Sequence, residues 1–214
     1  FKDLPKKKQP GLILKTSSAG FSVIDREAIT KKIKGITKEF GDKCPPIYLL
    51  FGDLKPEEMA NLYHHPKVKS MVSFTKGEGY GRPLCEFTLT GKPIIVSKWS
   101  GHTDFLPEKY TAYIDGQLKN VHESAANDFL LKESKWFTVD YGYASKMFVD
   151  ILKNTKKWNE LSKRQRYFVN SNFTETAITK RYDEVLEIID AGIESIPKHV
   201  ELKLPKLELP KLQK

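Results

Sequence analysis

The stretch from Phe74 to Leu106, FTKGEGYGRPLCEFTLTGKPIIVSKWSGHTDFL, constrains the fold more than any other part of the chain. It begins at the end of an apolar run, Val72-Ser73-Phe74, that reads as a buried strand. Three glycines follow closely, Gly77, Gly79 and Gly81, then Pro83 and a short segment that can be helical. A second apolar run, Pro93-Ile94-Ile95-Val96, reads as another strand. A strand, a glycine-rich turn, a helix and a strand in that order form the repeating unit of doubly wound α/β folds. Helices in such units open with free N–H groups pointing out of the strand ends, which favours anions. Pro83 fits the first helical position, where its missing N–H costs nothing, and the glycines let a ligand approach the backbone.

Two carboxylates flank the turn, Glu78 within it and Glu86 about one turn into the helix, spaced E-x7-E. A site for phosphate alone has no use for two acids. A site for a sugar nucleotide does, because amides take the diphosphate while carboxylates accept hydrogen bonds from sugar hydroxyls. The string continues in fixed order: Gly77-Glu78-Gly79-Tyr80-Gly81, Pro83 and Glu86, Gly91-Lys92-Pro93-Ile94-Ile95, then Trp99-Ser100-Gly101. It resembles the donor-binding segment of GT-B glycosyltransferases, most closely family 4 (often called group 1), whose usual wording is EGFG-x4-E-A-x3-G-x-P-V-I.

The resemblance runs from about Gly11 to Asp190 and is densest from Gly52 to Leu106. It implies an α/β fold, a Rossmann-like parallel sheet flanked by helices, corresponding to the C-terminal domain of a GT-B enzyme. Residues 11–192 would form this nucleotide-sugar-binding domain, after an N-terminal linker over 1–10 and before a Lys/Leu/Pro tail over 193–214. In GT-B enzymes a second, N-terminal domain across a cleft holds most of the acceptor. That domain has no room in this chain and is expected as a missing partner. Glu78 matches the family's first motif acid, which contacts the transferred sugar near the reaction centre, and is the catalytic candidate. Glu86 matches the acid that grips the ribose. Gly79, Tyr80, Gly81, Arg82 and Leu84 would meet the sugar and diphosphate through their backbone N–H groups.

The chain departs from the family at several places. The Arg and Lys that neutralise the diphosphate usually stand in the loop after the first strand. Here that loop reads Lys15-Thr16-Ser17-Ser18-Ala19-Gly20, which leaves Lys15 as the candidate cation. Arg82, where an apolar residue is common, could supply the charge instead. Phe87 replaces a small residue and implies local repacking. Asp104 reads as a loop or cap acid, and His102 as a loop residue close to the site. No Cys/His cluster suggests zinc and no Asp-x-Asp lies near the centre. The resemblance implies metal-independent transfer of a hexose from UDP- or GDP-hexose with retention, and no cofactor besides that donor. The alternative is a binding or structural module that keeps the fold without turnover.

The flanking pattern supports the α/β reading. Gly11 to Thr16 is a strand candidate. Asp25 can cap a helix to about Phe40, with Ala28, Ile29, Ile33 and Ile36 on one stripe. Ile47 to Phe51 reads as a buried strand, Pro56 to His64 as a helix, and Val68 to Phe74 as the next strand, a βαβαβ rhythm that implies parallel pairing. Beyond the centre, Tyr110 to Ile114 is a short strand, while Gly116 to Lys135 is polar and shows no period. Tyr141 to Lys153, Trp158 to Asn170 and Thr174 to Asp190 read as helices, the last with Ile178, Tyr182, Val185 and Ile189 aligned. In residues 201–214 a proline every five residues forbids a helix, so an extended arm is expected there.

A chain of 214 residues accommodates one large α/β domain or two small ones. It does not begin with Met, so a fragment is one expectation. The two cysteines, Cys44 and Cys85, do not make a disulfide framework, and no signal-peptide pattern is present, which fits a reduced, cytoplasmic setting. The net charge of +9 comes mostly from Lys. It suits solubility and attraction to anions, including nucleotide-sugars, an acidic membrane surface or a protein partner. It does not fit nucleic-acid binding, because the arginines (Arg26, Arg82, Arg164, Arg166, Arg181) are not clustered among aromatics.

Overall fold

The computed structural model describes residues 1–16 and 22–194. The chain divides into two compact units, residues 1–169 and 170–214. In the first unit, β1 (Leu12–Thr16), α1 (Val23–Lys38), β2 (Ile47–Phe51), α2 (Pro56–His64), β3 (Met71–Ser73), α3 (Arg82–Thr88), β4 (Ile94–Ser97) and β5 (Ala112–Ile114) alternate as the sequence rhythm predicts. Then come β6 (Gly116–Asn120), β7 (Lys135–Val139), α4 (Tyr141–Lys153) and α5 (Thr155–Asn172). The last turn of α5 and all of α6 (Glu175–Glu194) belong to the second unit.

Pairing is parallel along the βαβ part, but as two ladders rather than one. β1 pairs with β2, Leu12 opposite Ile47 and Thr16 opposite Phe51. β3, β4 and β5 pair in that order, Val72 opposite Ile95 and Val96 opposite Tyr113. β6 and β7 form an antiparallel hairpin, Gly116 opposite Val139. The expected architecture, parallel sheets flanked by helices in a Rossmann-like α/β arrangement, is therefore present.

The core sits in the second ladder. All four residues of β4 are buried, as are Ala112 to Ile114 of β5. Leu84 and Phe87 of α3 and Phe105 and Leu106 cover one part, and Ala144, Ile151, Trp158, Phe137 and Val139 join Ile95 and Ile114 in another. Each large apolar side chain buried in this way contributes about 1.5–3 kcal/mol. Phe87, an unusual bulky residue at its motif position, is accommodated edge-on against Tyr63 of α2, with ring centroids 5.4 Å apart. Lys92 holds the C-terminal end of the same helix, its ammonium donating to the carbonyls of Tyr63 (2.6 Å) and His65 (2.8 Å). These are orphan carbonyls of a helix C-terminus, and a cation there satisfies them.

Three local expectations are corrected. Asp25 is not the cap of α1. Ser22 is, its hydroxyl accepting from Asp25 N (3.1 Å) while the Asp25 carboxylate accepts from Ser22 N, a reciprocal capping box. Ile47 to Phe51 is a strand as read, but it is only half-buried and Tyr48 is exposed, because its ladder has two strands. The stripe on α1 is likewise open: Ile29 and Ile33 are half-buried, while Ala28 and Ile36 face solvent. In the second unit α6 forms where expected, with Tyr182, Val185 and Ile189 exposed. The extended arm expected over 201–214 lies outside the described residues.

The polar stretch that shows no period in the sequence contains β6 and the whole connection to β7. This hairpin abuts the start of the glycine turn at Lys76 and leaves Gly77, Gly79 and Tyr80 exposed. Phe137 N donates to Lys76 O (3.2 Å), Lys76 Nζ donates to the Thr138 hydroxyl (3.3 Å), and Phe137 stacks flat on Trp99 with centroids 5.6 Å apart.

Candidate functional site

The glycine turn, residues 74–81, leaves the C-terminal end of β3 and enters α3 at Gly81. Gly81 adopts φ 88°, ψ 46°, a left-handed conformation suited to glycine. An added Cβ there would also sit 3.2 Å from both Glu78 Cγ and His102 Cβ. Arg82 is the first helical residue, so Pro83 occupies the second position rather than the first. Either position lacks an intrahelical acceptor for its N–H, so the proline costs nothing. With seven residues α3 is short, and its dipole alone is a weak attraction for an anion.

The structure brings Glu78, Gly79, Tyr80, Gly81, Arg82, Leu84 and Glu86 together, packed against the loop that follows β4. Among the described residues no acceptor engages the N–H of Gly79, Tyr80, Gly81 or Arg82. Leu84 differs. Its N–H donates to Gly81 O at 2.9 Å and its side chain is buried, so it anchors the helix start instead of presenting a donor. Arg82 and Glu86 form an ion pair at 3.2 Å, one helical turn apart and solvent-exposed. Such a pair contributes about 0.3–0.5 kcal/mol, so a ligand hydroxyl can take either partner at little cost.

Tyr80 lays its ring against Phe105 (centroids 4.9 Å) and donates its hydroxyl to Cys85 Sγ at 3.4 Å. Burial pushes this hydroxyl up to about 12, with the hydrogen bond and the neighbouring thiol adding to the shift. Tyr80 therefore stays a neutral donor throughout the ordinary pH range. Its contribution to stability is complete below the usual tyrosine value of 10.0 and is lost as pH rises towards 12.

The opposing loop, Ser97 to Leu106, carries contacts that motif reasoning did not assign. Ser100 accepts a hydrogen bond from Glu78 N (2.9 Å) and donates its hydroxyl to Glu78 O (2.6 Å). Gly101 N donates to the same Glu78 O at 3.0 Å. Ser100 holds φ 83°, ψ −170°, a region nearly exclusive to glycine, at a cost of about 1–3 kcal/mol. Three hydrogen bonds at about 0.5–1.5 kcal/mol each offset that strain. Gly101 cannot be replaced without movement: a Cβ there would lie 1.7 Å from Gly79 O. The sequence signal was the Trp99-Ser100-Gly101 string, read for its resemblance and not for its contacts.

His102 lies in this loop beside Gly81, as read, but it is fully buried and faces no open site. One ring nitrogen, Nε2, lies 2.7 Å from Ser97 O. A carbonyl only accepts, so Nε2 carries a proton, and Nδ1 has no partner among the described residues. Asp104 is exposed at the end of the short 3-10 turn Gly101–Asp104. Lys15 is not joined to the glycine turn by any hydrogen bond or ion pair among the described residues. Its ammonium donates to Gly52 O at 2.6 Å, between the ends of β1 and β2. The rest of the expected phosphate loop, residues 17–20, lies outside the described residues.

Two cavities lie apart from this cluster. One, about 570 Å³, is lined by Ile33, Thr37, Cys44, Ile47 and Leu49 between α1 and β2. The other, about 480 Å³, lies beside β5 and is lined by Lys98, Glu108, Asp115, Tyr143 and Asp150. Several of its polar groups already serve each other. Lys98 pairs with Glu108, and Asp150 accepts from Trp158 Nε1 and Asn154 Nδ2, both at 2.6 Å. The candidate residues singled out in the sequence line neither cavity.

No protein-family model matches the chain, and no curated protein matches it by sequence. Among solved structures, the chain resembles a sucrose-phosphate synthase from Thermosynechococcus elongatus, with a TM-score of 0.56 and 19% identity. The likeness covers 85% of this chain and 39% of that one, so this chain spans well under half of its neighbour's length. At that identity the likeness is one of fold: a Rossmann-like α/β architecture shared with a glycosyltransferase.

Proposed function

We propose that this chain is the donor-binding domain of a GT-B glycosyltransferase of the family 4 type, taking UDP- or GDP-hexose and transferring the hexose with retention. The observation that carries the reading is the juxtaposition of Glu78, Glu86 and four unengaged amides on one rigidly held glycine turn after a parallel strand. In this reading Glu86 releases Arg82 to accept the ribose hydroxyls, and the freed guanidinium becomes available to the diphosphate. The amides of Gly79 to Arg82 take phosphate or sugar oxygens, where fixed donors stabilise the charge that develops on the leaving group. Glu78 accepts from hydroxyls of the transferred sugar. The chemistry needs no resident cofactor and no metal. The acceptor would be held by a separate N-terminal domain, and the chain would work in the cytoplasm, where nucleotide-sugars are available as substrates.

Calorimetric titration with UDP, GDP and their hexose conjugates tests this. The expected result is saturable binding of one nucleotide family, weakened by about 10–100-fold in Glu86→Ala, the range for losing hydrogen bonds to a charged group. Absence of binding at millimolar ligand contradicts the proposal.

A second reading has its own support. Arg82 holds Glu86, and Lys15 holds a backbone carbonyl rather than standing free for a phosphate. A module that keeps the fold and has lost turnover would look the same. It differs in outcome: nucleotide binding without transfer to any acceptor when the N-terminal domain is supplied.

A further inference from the structure

We infer that Ser100 is a positioning residue for the donor site, a latch that fixes the Glu78–Gly79 peptide and thereby aims both the Glu78 carboxylate and the Gly79 N–H. This rests on the reading of the glycine turn as a sugar-nucleotide site. The Ser100 hydroxyl bonds to both ends of one residue, accepting from Glu78 N at 2.9 Å and donating to Glu78 O at 2.6 Å. Gly101 N adds a third bond to that carbonyl at 3.0 Å.

The peptide following Glu78 is trans, as are all the described peptides, so its N–H points opposite to its C=O. With Glu78 O drawn to Ser100 and Gly101, the Gly79 N–H is turned away from that loop, towards the open side of the turn. It has no acceptor among the described residues. Close approach of the two loops makes this possible, because Gly101 faces Gly79 O with no room for a side chain. A glycine at position 100 would adopt φ 83°, ψ −170° without strain but would have no hydroxyl. A serine at that backbone position is strained, and what it adds is the bond pair to Glu78. The latch thus has a signature that ordinary loop packing lacks: removing it by Ser100→Gly relieves strain while taking away two of the three bonds on Glu78 and leaving only that from Gly101 N.

The test compares the wild-type chain with Ser100→Gly and Ser100→Ala in three measurements: thermal unfolding, amide hydrogen exchange at Glu78, and calorimetric titration with UDP-glucose and GDP-mannose. For Ser100→Gly the inference expects an unchanged or raised Tm, exchange at the Glu78 amide faster by about tenfold or more, and affinity for the preferred nucleotide-sugar lower by roughly tenfold. Ser100→Ala, which keeps the strained backbone without the hydroxyl, should lose Tm and affinity together. Wild-type affinity in Ser100→Gly overturns the inference, and so does unchanged protection of the Glu78 amide. If the wild-type chain binds neither nucleotide-sugar, the proposed donor site fails, and with it the aiming of ligand-binding groups. The exchange measurement then still decides whether Ser100 holds the peptide.

Discussion

At the residue scale the decisive feature is how closely two loops approach. Gly79 and Gly101 meet backbone to backbone, and Glu78 is held through its own peptide groups. Gly101→Ala is expected to force these loops apart, since its methyl carbon would start 1.7 Å from Gly79 O. The expected cost is about 1–3 kcal/mol of stability from overpacking, read by denaturant unfolding, together with loss of nucleotide-sugar affinity. Full wild-type stability in that variant would show that the loops do not touch in solution. The residue types at the turn, and the E-x7-E spacing, were legible in the sequence because a short motif is local. The clasp by Ser100 was not, because it depends on a positive φ that a serine code does not advertise. The partner of Lys15 was not legible either: Gly52 is 37 residues away and reaches it only through the β1–β2 register.

At the element scale, legibility followed apolar content. Ile47–Phe51, Pro56–His64 and Tyr141–Lys153 form with the bounds the pattern gives, because each carries a dense apolar face or a clear boundary residue. β6 escaped because it is almost entirely exposed and Leu118 is its one large apolar side chain, so no alternation marks it. Yet β6 pairs with β7, and β7 contacts Lys76 and Trp99 at the edge of the turn.

The α4–α5 junction offers a further test. Asp150 accepts from Trp158 Nε1 and Asn154 Nδ2, and these donors, the first more than the second, hold its carboxyl below the ordinary 3.8. A carboxyl depressed in the folded state stabilises above its unfolded value and loses that contribution as pH falls through the folded value. Asp150→Ala should leave the buried Trp158 N–H unpaired, lowering stability by about 1–3 kcal/mol at neutral pH. The gap between variant and wild type should narrow as pH drops below about 4. A gap that stays constant from pH 7 to pH 3 would contradict the assignment.

At the scale of the molecule, the buried core of β4 and β5, with α3, α4 and α5 around it, is a frame whose strand ends carry the loops of the site. The β1–β2 ladder is more open, and it is there that the expected phosphate cation was least well defined. The likeness spans 39% of the structural neighbour and is one of fold alone. Binding is therefore the property to measure first, before transfer.

In the proposed function, sugar nucleotides bind at the turn between β3 and α3. Nuclear magnetic resonance of the labelled chain titrated with UDP-glucose, and separately with GDP-mannose, tests it most directly. The Gly79, Tyr80, Gly81 and Arg82 amide signals are expected to move together in one saturable transition. Leu84, already bonded to Gly81 O, should move less. Shifts centred instead on the cavity lined by Lys98, Asp115 and Tyr143, or no saturable shift at millimolar ligand, would contradict it.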